Sequence, residues 1–333
     1  MAVYRENERE RAMELMKHNH GFSIFRADKG GGKFGGHEYD YVLADGKNNL
    51  FPPLLDGNNM SIKNNTVIKY FAENNIAWWH GNEPTGHVLS SQVACLNHLF
   101  YLRHDKNAVM QLLSSFSNDF IDVIEIKTDK KPYGYIQFEA VSTNDNLNEG
   151  TLSRGTNCTS VDALIYAKHK NKHKNGENEK WIIPIEWKYT EEYNREDKSY
   201  GKSGAIRLER YIALINKSQQ VNPEYWQWCF YEPFYQIMRQ TLWAEQIIEK
   251  KSDEKIKADN YIHLHIIPNE NTDLLNRIYS CSKMNMENTW RKCIVNQDKY
   301  KIISPQNFLK NVSGMEYNEL RNYLSVRYWI KEQ

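Results

Sequence analysis

Two apolar runs in the middle of the chain each carry charged residues near one end, and their alternation predicts two β-strands. The runs are TSVDALIYA (159–167) and WIIPIEWKYTE (181–191). Side chains two residues apart share one face of an extended strand, so Glu186 and Lys188 are expected to point the same way. The other face of that strand carries Ile183, Ile185 and Trp187, which are expected to enter a core. In the first strand one face carries Val161, Ala163, Ile165 and Ala167, and Asp162 is expected on the opposite face.

This arrangement of acids and a base matches the needs of a metal-dependent phosphodiesterase. The carboxylates of Asp162 and Glu186 provide hard oxygen ligands for one divalent cation, with water completing the shell. Lys188 beside that ion is placed to stabilise a pentavalent phosphate, or to position and deprotonate the attacking water. A structural alternative is that Asp162 caps a turn and that Glu186 and Lys188 form a solvated pair on an edge strand. Because these residues lie on strongly apolar runs, the pattern favours the functional interpretation.

Two flanking elements carry further candidates for the same site. After Pro84, a helix is predicted by the spacing of Val88, Cys95, Leu96, Leu99 and Leu102. Gln92 lies on the same stripe, where it either pairs with backbone in the core or points at the acids. The strand KPYGYIQFEAV (131–141) places Ile136, Phe138 and Ala140 on one face and Gln137 and Glu139 on the other. Glu139 is either a third acid near the metal or a solvated edge residue.

The other segments predict helices around this centre and one more strand. Helices are predicted at 4–18, 203–215, 232–250 and through much of 270–333, whose last amphipathic run is expected to pack on the core. The glycine-rich stretch 28–37 is expected to be a flexible loop or hairpin. The lysine-rich loop 168–180 is either a solvated hairpin or a contact to phosphate backbone. The buried strand 260–268 places His263 and His265 on one face, where they are expected to be structural.

Composition limits the class of protein. The 333 residues carry 43 Lys plus Arg against 42 Asp plus Glu, a net charge of +1. The chain is therefore not a strongly basic nucleic-acid binder, and phosphate contacts must come from local patches. Five cysteines without a C-x-x-C pair indicate reduced thiols. With no apolar signal segment and no run near the ~20 apolar residues of a membrane span, we expect a soluble, cytoplasmic protein without a membrane partner.

At these residues the chain resembles the PD-(D/E)XK nuclease superfamily, which has the restriction-endonuclease-like fold, and most of all its bacterial restriction-endonuclease-like branch. The resemblance extends over about residues 84 to 268. It is carried by the stretches HVLSSQVACLNHLF (87–100), GTNCTSVD (155–162), IEWKYTE (185–191), YEPFYQIMRQTLWAEQ (231–246) and YIHLHIIP (261–268). The resemblance implies Asp162 and Glu186 as magnesium ligands and Lys188 as the catalytic lysine. Val161 replaces the proline of the superfamily name, which has no chemical role.

The resemblance also implies a fold and a division of the chain. Periodicity alone predicts an α/β or α+β protein with a mixed sheet. The resemblance implies an αβββαβ core, a central mixed sheet flanked by helices, with N- and C-terminal additions. We expect residues 1–83 to form an N-terminal extension packing on the core, residues 84–268 the nuclease-like core, and residues 269–333 a mainly helical C-terminal extension.

The expected function is a Mg²⁺-dependent endonuclease that hydrolyses DNA phosphodiester bonds, with Mn²⁺ as a substitute. DNA as the substrate and a restriction or defence role come from the resemblance. Asp162 and Glu186 would hold the ion with the backbone carbonyl of Trp187, Lys188 would act on water or phosphate, and Glu139 and Gln92 would contribute secondarily. The alternatives are a repair or junction-processing nuclease and a catalytically silent DNA-binding or assembly module. Cutting both strands of a duplex generally requires two active sites, so a homodimer is also an expectation.

Overall fold

The computed structural model describes residues 3–18, 30–59, 65–79, 81–127, 134–150, 158–170, 178–193 and 197–329. Parts of the predicted loop at 168–180 and of the matching stretch at 155–162 lie outside these residues. The helices are α1 (Val3–His18), α2 (Val67–Glu73), α3 (Ser91–Leu99), α4 (Lys106–Ser114), α5 (Gly201–Lys217), α6 (Phe234–Glu249), α7 (Thr272–Leu275), α8 (Met286–Cys293), α9 (Pro305–Leu309) and α10 (Asn318–Arg327). None of the helices in the described part of the chain is long and apolar enough to cross a membrane.

The strands form a small hairpin and one large mixed sheet. The hairpin pairs β1 (Gly32–Phe34) with β2 (His37–Tyr39), within the glycine-rich stretch that predicted a loop or hairpin. The sheet contains β3 (Phe120–Val123), β4 (Ile136–Ala140), β5 (Val161–His169), β6 (Glu179–Trp187), β7 (Asn260–Tyr261), β8 (His263–Ile266) and β9 (Tyr300–Ile303).

The sheet has β6 at its centre. Its order is β3-β5-β6-β8-β9, with β4 also paired to β5 and β7 also paired to β6. Strands β3, β4 and β6 pair antiparallel with β5, whereas β7 and β8 run parallel to β6 and β9 runs parallel to β8. Because β6 has a neighbour on each side, residues at its C-terminal end lie inside the protein and not at a sheet edge.

Helices cover both faces of the sheet, which explains why β5 and β6 are apolar on both sides. One core cluster contains Ile183, Ile185 and Trp187 of β6, with residues of α1 to α4, α9 and α10. The other contains Leu164 and Tyr166 of β5, with residues of α5 to α8. The predicted fold class is confirmed: this is a mixed α/β protein with a central mixed sheet between helices.

Several details differ from the sequence prediction. Helix α3 begins at Ser91, after Val88, because the Ser90 side chain accepts the N–H of Val93 and caps the helix. Strand β9 and the pair α4–β3 are additions that the pattern did not predict. The C-terminal segment does contain helices, and Leu320 and Leu324 of α10 pack in the first core cluster.

The predicted strand faces are wrong at one place on β4 and β5. Ala163, Ile165 and Ala167 pack together in the first cluster as expected, but Val161 packs in the second. On β4, Ile136 and Phe138 are in the first cluster and Ala140 is in the second. Ala140 pairs with Val161, and the preceding residue Glu139 has φ +49°, which interrupts the two-residue alternation of an extended strand.

A buried histidine of α3 gives the fold a defined pH dependence. The Nδ1 of His98 lies 2.7 Å from the carbonyl oxygen of Ala94, and its Nε2 accepts the indole N–H of Trp329 at 3.2 Å. Burial is the main cause that lowers the pKa of His98 to about 3, from 6.5. The folded protein therefore holds this ring neutral, while the unfolded chain takes up a proton below pH 6.5.

We expect the free energy of unfolding to fall as the pH decreases from 6.5 towards 3, by up to about 1.4 kcal/mol per pH unit from this histidine. His98→Gln should be less stable than the wild type at pH 7 and should lose less stability on acidification. Urea unfolding at pH 7 and pH 5 measures both quantities. An equal loss in the two proteins would contradict the role of His98.

Candidate functional site

The C-terminal end of β6 and the N-terminal end of β5 meet at the candidate site. The ladder between the two strands reaches Ala163 paired with Ile185. One residue further along, the carboxylate Oδ2 of Asp162 accepts the backbone N–H of Trp187 at 2.7 Å. This hydrogen bond fixes Asp162 against the strand segment that carries Glu186 and Lys188.

Glu186 and Lys188 form a buried ion pair. The ammonium nitrogen of Lys188 lies 2.6 Å from Oε1 of Glu186, and the two residues are 5% and 1% exposed. The alternative of a solvated pair on an edge strand is therefore wrong. An ion pair at this depth is tolerated only when further hydrogen bonds satisfy its remaining polar atoms.

Two glutamines of α6 supply those hydrogen bonds. The Nε2 of Gln240 donates to Oε2 of Glu186 and, at 3.1 Å, to the carbonyl oxygen of Ser160. Oε1 of Gln236 accepts from the ammonium of Lys188 at 2.7 Å. Neither residue was predicted from the sequence, although two glutamines four apart on an apolar helix place their side chains on one helical face.

The predicted secondary contributors lie beside these acids. Gln92 donates from Nε2 to Oε1 of Glu139 at 2.8 Å, and its own Oε1 accepts the backbone N–H of Trp79 at 3.1 Å. The hydroxyl of Ser160 donates to Oε2 of Glu139 at 3.3 Å. Gln92 thus contacts the acidic group as well as backbone, and Asp162, Gln92 and Glu139 line one small cleft.

The strand residue Glu139 adopts a backbone conformation that is rare for a side chain of its kind. Its φ of +49° lies in the left-handed region, which costs a non-glycine residue of this type roughly 1–2 kcal/mol. The hydrogen bonds from Gln92 and Ser160 hold the carboxylate in place. Residues held in sparsely populated backbone conformations cluster at active sites and ligand clamps.

The electrostatic environment raises the pKa of both Asp162 and Lys188. Burial is the largest cause that raises the pKa of Asp162 well above its ordinary value, followed by the nearby charges of Glu186 and Glu139. For Lys188, burial opposes the charge, but Glu186 and then Tyr193 and Glu191 outweigh it and hold its pKa above the ordinary value. Lys188 is therefore a cation at neutral pH.

A second buried network of hydrogen bonds holds the segment that leads into β5, just before Asp162. Glu149 accepts the backbone N–H and the hydroxyl of Thr159, and it accepts the hydroxyl of Tyr211 at 2.6 Å. The guanidinium of Arg239 lies 3.0 Å from the same carboxylate. Arg239 lies on α6 between the two glutamines, so one helix contacts both networks.

The donor chemistry at Asp162 and Glu186 fits a magnesium ion. Both are carboxylates, and Oε1 of Gln240, next to Glu186, is buried without a hydrogen-bond partner. In the part of the chain that the structure describes, no three His, Cys, Asp or Glu residues are placed to hold a metal by themselves. Magnesium keeps several waters and commonly takes one or two protein carboxylates together with substrate phosphate oxygens, so a partial set of ligands suits it.

The buried acids lie beside an open cleft of about 780 Å³. Gln92, Glu139 and Ser160 line it from the acidic side, and Thr190 and Glu191 line it from the segment that follows Lys188. Arg5 of α1 and the aromatic residue Trp79 also line it. The cleft is large enough to receive part of a polymeric substrate.

The central mixed sheet between helices, with an acid on one strand and an acid-x-lysine triplet on the next, defines a restriction-endonuclease-like protein. The chain belongs to the family described as "restriction endonuclease associating with ARP", whose model matches residues 18–329. Comparisons with curated proteins and with solved structures found no match.

Replacing Glu139 separates backbone strain from side-chain contacts. We expect Glu139→Gly to be more stable than Glu139→Ala by about 1 kcal/mol, because only glycine relieves the positive φ. Both variants lose the same hydrogen bonds, so their difference in urea unfolding isolates the strain. If the alanine variant were as stable as the glycine variant, the positive φ at residue 139 would cost no measurable free energy.

Removing the ammonium of Lys188 leaves a buried carboxylate without its cation. We expect Lys188→Met to lower the free energy of unfolding by about 3–5 kcal/mol, and the double variant Glu186→Gln/Lys188→Met to recover much of that loss. Urea unfolding in EDTA measures both.

The matched control is Lys168→Met, since Lys168 lies 3.2 Å from Asp122 in a partly exposed pair on the same sheet. That change should cost under about 1 kcal/mol. A double variant no more stable than Lys188→Met would contradict the view that the unpaired carboxylate causes the loss.

Proposed function

We propose that this protein is a Mg²⁺-dependent endonuclease that hydrolyses phosphodiester bonds of DNA in a restriction or defence role. The observation that carries the proposal is the meeting of Asp162, Glu186 and Lys188 at the ends of two adjacent strands, beside a cleft. The family to which the chain belongs, with its restriction-endonuclease description, supports DNA as the substrate.

Asp162 and Glu186 would hold the magnesium ion, together with the backbone carbonyl of Trp187. When bound, magnesium supplies positive charge at the phosphate and lowers the pKa of a coordinated water. The raised pKa of Asp162 supports this role, because crowded carboxylates are a place where a cation relieves repulsion.

Lys188 would stabilise charge on the phosphate. A lysine whose pKa is raised keeps its proton at neutral pH, so it serves poorly as a base towards water. Its ammonium donates to Glu186 and Gln236, which fix its position before substrate binds. The rate enhancement would come from a positive charge that is already oriented towards the negative charge developing in the transition state.

Glu139 and Gln92 would act at the wall of the cleft, where the substrate would bind. Both line it and hydrogen-bond to each other, and Glu139 adds negative charge near Asp162. Glu139 would strengthen cation binding by its charge, and Gln92 would orient Glu139. Gln236 and Gln240 would be positioning residues that act through Lys188 and Glu186.

Cleavage of plasmid and linear DNA in Mg²⁺ or Mn²⁺ tests the proposal. Asp162→Asn keeps an oxygen that accepts from Trp187 but removes the charge, so we expect the cleavage rate to fall at least about a hundredfold. Asp122→Asn, on the neighbouring strand β3, is the matched control and should cut at the wild-type rate.

Calorimetric titration of Mg²⁺ into the protein with a non-cleavable DNA present should give binding that Asp162→Asn abolishes. DNA binding without cleavage by the wild type in either metal would favour a silent DNA-binding module. Selective cutting of branched DNA would favour a junction-processing nuclease.

A further inference from the structure

One wall of the cleft is aromatic and open to solvent. Trp79 is 43% exposed, whereas the other tryptophans in the described residues are buried or half-buried. Its ring centre lies 4.9 Å from that of Phe34 in β1 and 5.5 Å from that of the buried His87. Phe34 and His87 also contact each other, with ring centres 4.7 Å apart. The Trp79 ring is therefore held by neighbouring rings while part of its surface faces solvent.

The aromatic wall is connected directly to the acidic group. The backbone N–H of Trp79 donates to Gln92, and Gln92 donates to Glu139. The same cleft is lined by Trp79, Gln92, Glu139 and Ser160. Trp79 and Glu139 therefore line one cleft and are joined through Gln92.

The negative charge of the cleft disfavours the binding of a phosphate group against the aromatic wall. Glu139, Glu191 and Glu192 line the cleft against one arginine, Arg5. Carboxylates repel phosphate but accept hydrogen bonds from amino groups of bases. A flat, neutral ring with polar edges is the part of a nucleic acid that fits such a wall.

We propose that this cleft binds an unstacked nucleobase, which stacks on Trp79 next to the phosphate to be cut. The inference rests on the proposed nuclease function and deepens it. A base inside a regular duplex is stacked on both sides and cannot reach a cleft, so the substrate must present an unpaired or extruded nucleotide at the cut site. Base–aromatic stacking supplies affinity with little dependence on sequence.

The test is binding of a single-stranded oligonucleotide that carries one 2-aminopurine, compared with the fully paired duplex of the same sequence, in EDTA. We expect wild-type protein to bind the single strand more tightly and to quench its 2-aminopurine fluorescence. Trp79→Leu keeps apolar bulk without an aromatic face and should weaken that binding about tenfold, with loss of quenching. Trp79→Phe should retain both.

Tyr200→Leu is the matched control, because Tyr200 is 85% exposed and lies outside the cleft. It should bind like the wild type. Thermal unfolding of each variant checks that the fold is intact. The proposal is overturned if Trp79→Leu binds the single strand as tightly as the wild type, or if the paired duplex binds and quenches equally well.

Cleavage assays keep the two proposals apart, since binding in EDTA requires no catalysis. DNA cutting that depends on Asp162, with no effect of Trp79→Leu on binding or on the preference for unpaired sites, overturns the base site alone. Single-strand binding that depends on Trp79, in a protein that cuts no DNA, supports the base site and removes the nuclease function.

Discussion

The buried ion pair between Glu186 and Lys188 is the interaction on which the rest of this structure depends. Placing two charges in the middle of a sheet costs several kcal/mol per ion unless their other polar atoms are satisfied. The protein meets that demand with α6, whose glutamines contact both partners. The packing of α6 on β6 therefore serves the polar site as much as the apolar core.

Much of the site was predictable because strand periodicity is a strong signal. The alternation around Glu186 and Lys188 correctly gave their common face and the apolar face of Ile183, Ile185 and Trp187. Helical contributors were harder to find. Gln236 and Gln240 lie among apolar neighbours, and a helical pattern does not tell which strand a polar side chain will meet. Residues 234–249 resemble any buried helix until β6 is placed beneath them.

The change of face on β4 and β5 could not be predicted for a different reason. Period-two reasoning assumes uniformly extended backbone, and Glu139 departs from it at a single residue with positive φ. Nothing in the sequence IQFEAV marks a glutamate as left-handed, since glycine or asparagine usually occupies such positions. Strand β9 was not predicted because its four residues are too few to show the alternation of a strand.

Helix α1 contacts α10 and also the segment that follows β6. Arg11 of α1 donates to the carbonyl oxygen of Val326 in α10, across 315 positions of sequence, and Glu8 accepts the hydroxyl of Tyr189, next to Lys188. Contacts between such distant segments are entropically expensive and tend to form late in folding. We therefore expect the sheet to assemble first and the α1 side of the cleft, which Arg5 lines, to close last. With this order of folding, the cleft would be complete only when the chain is almost fully folded.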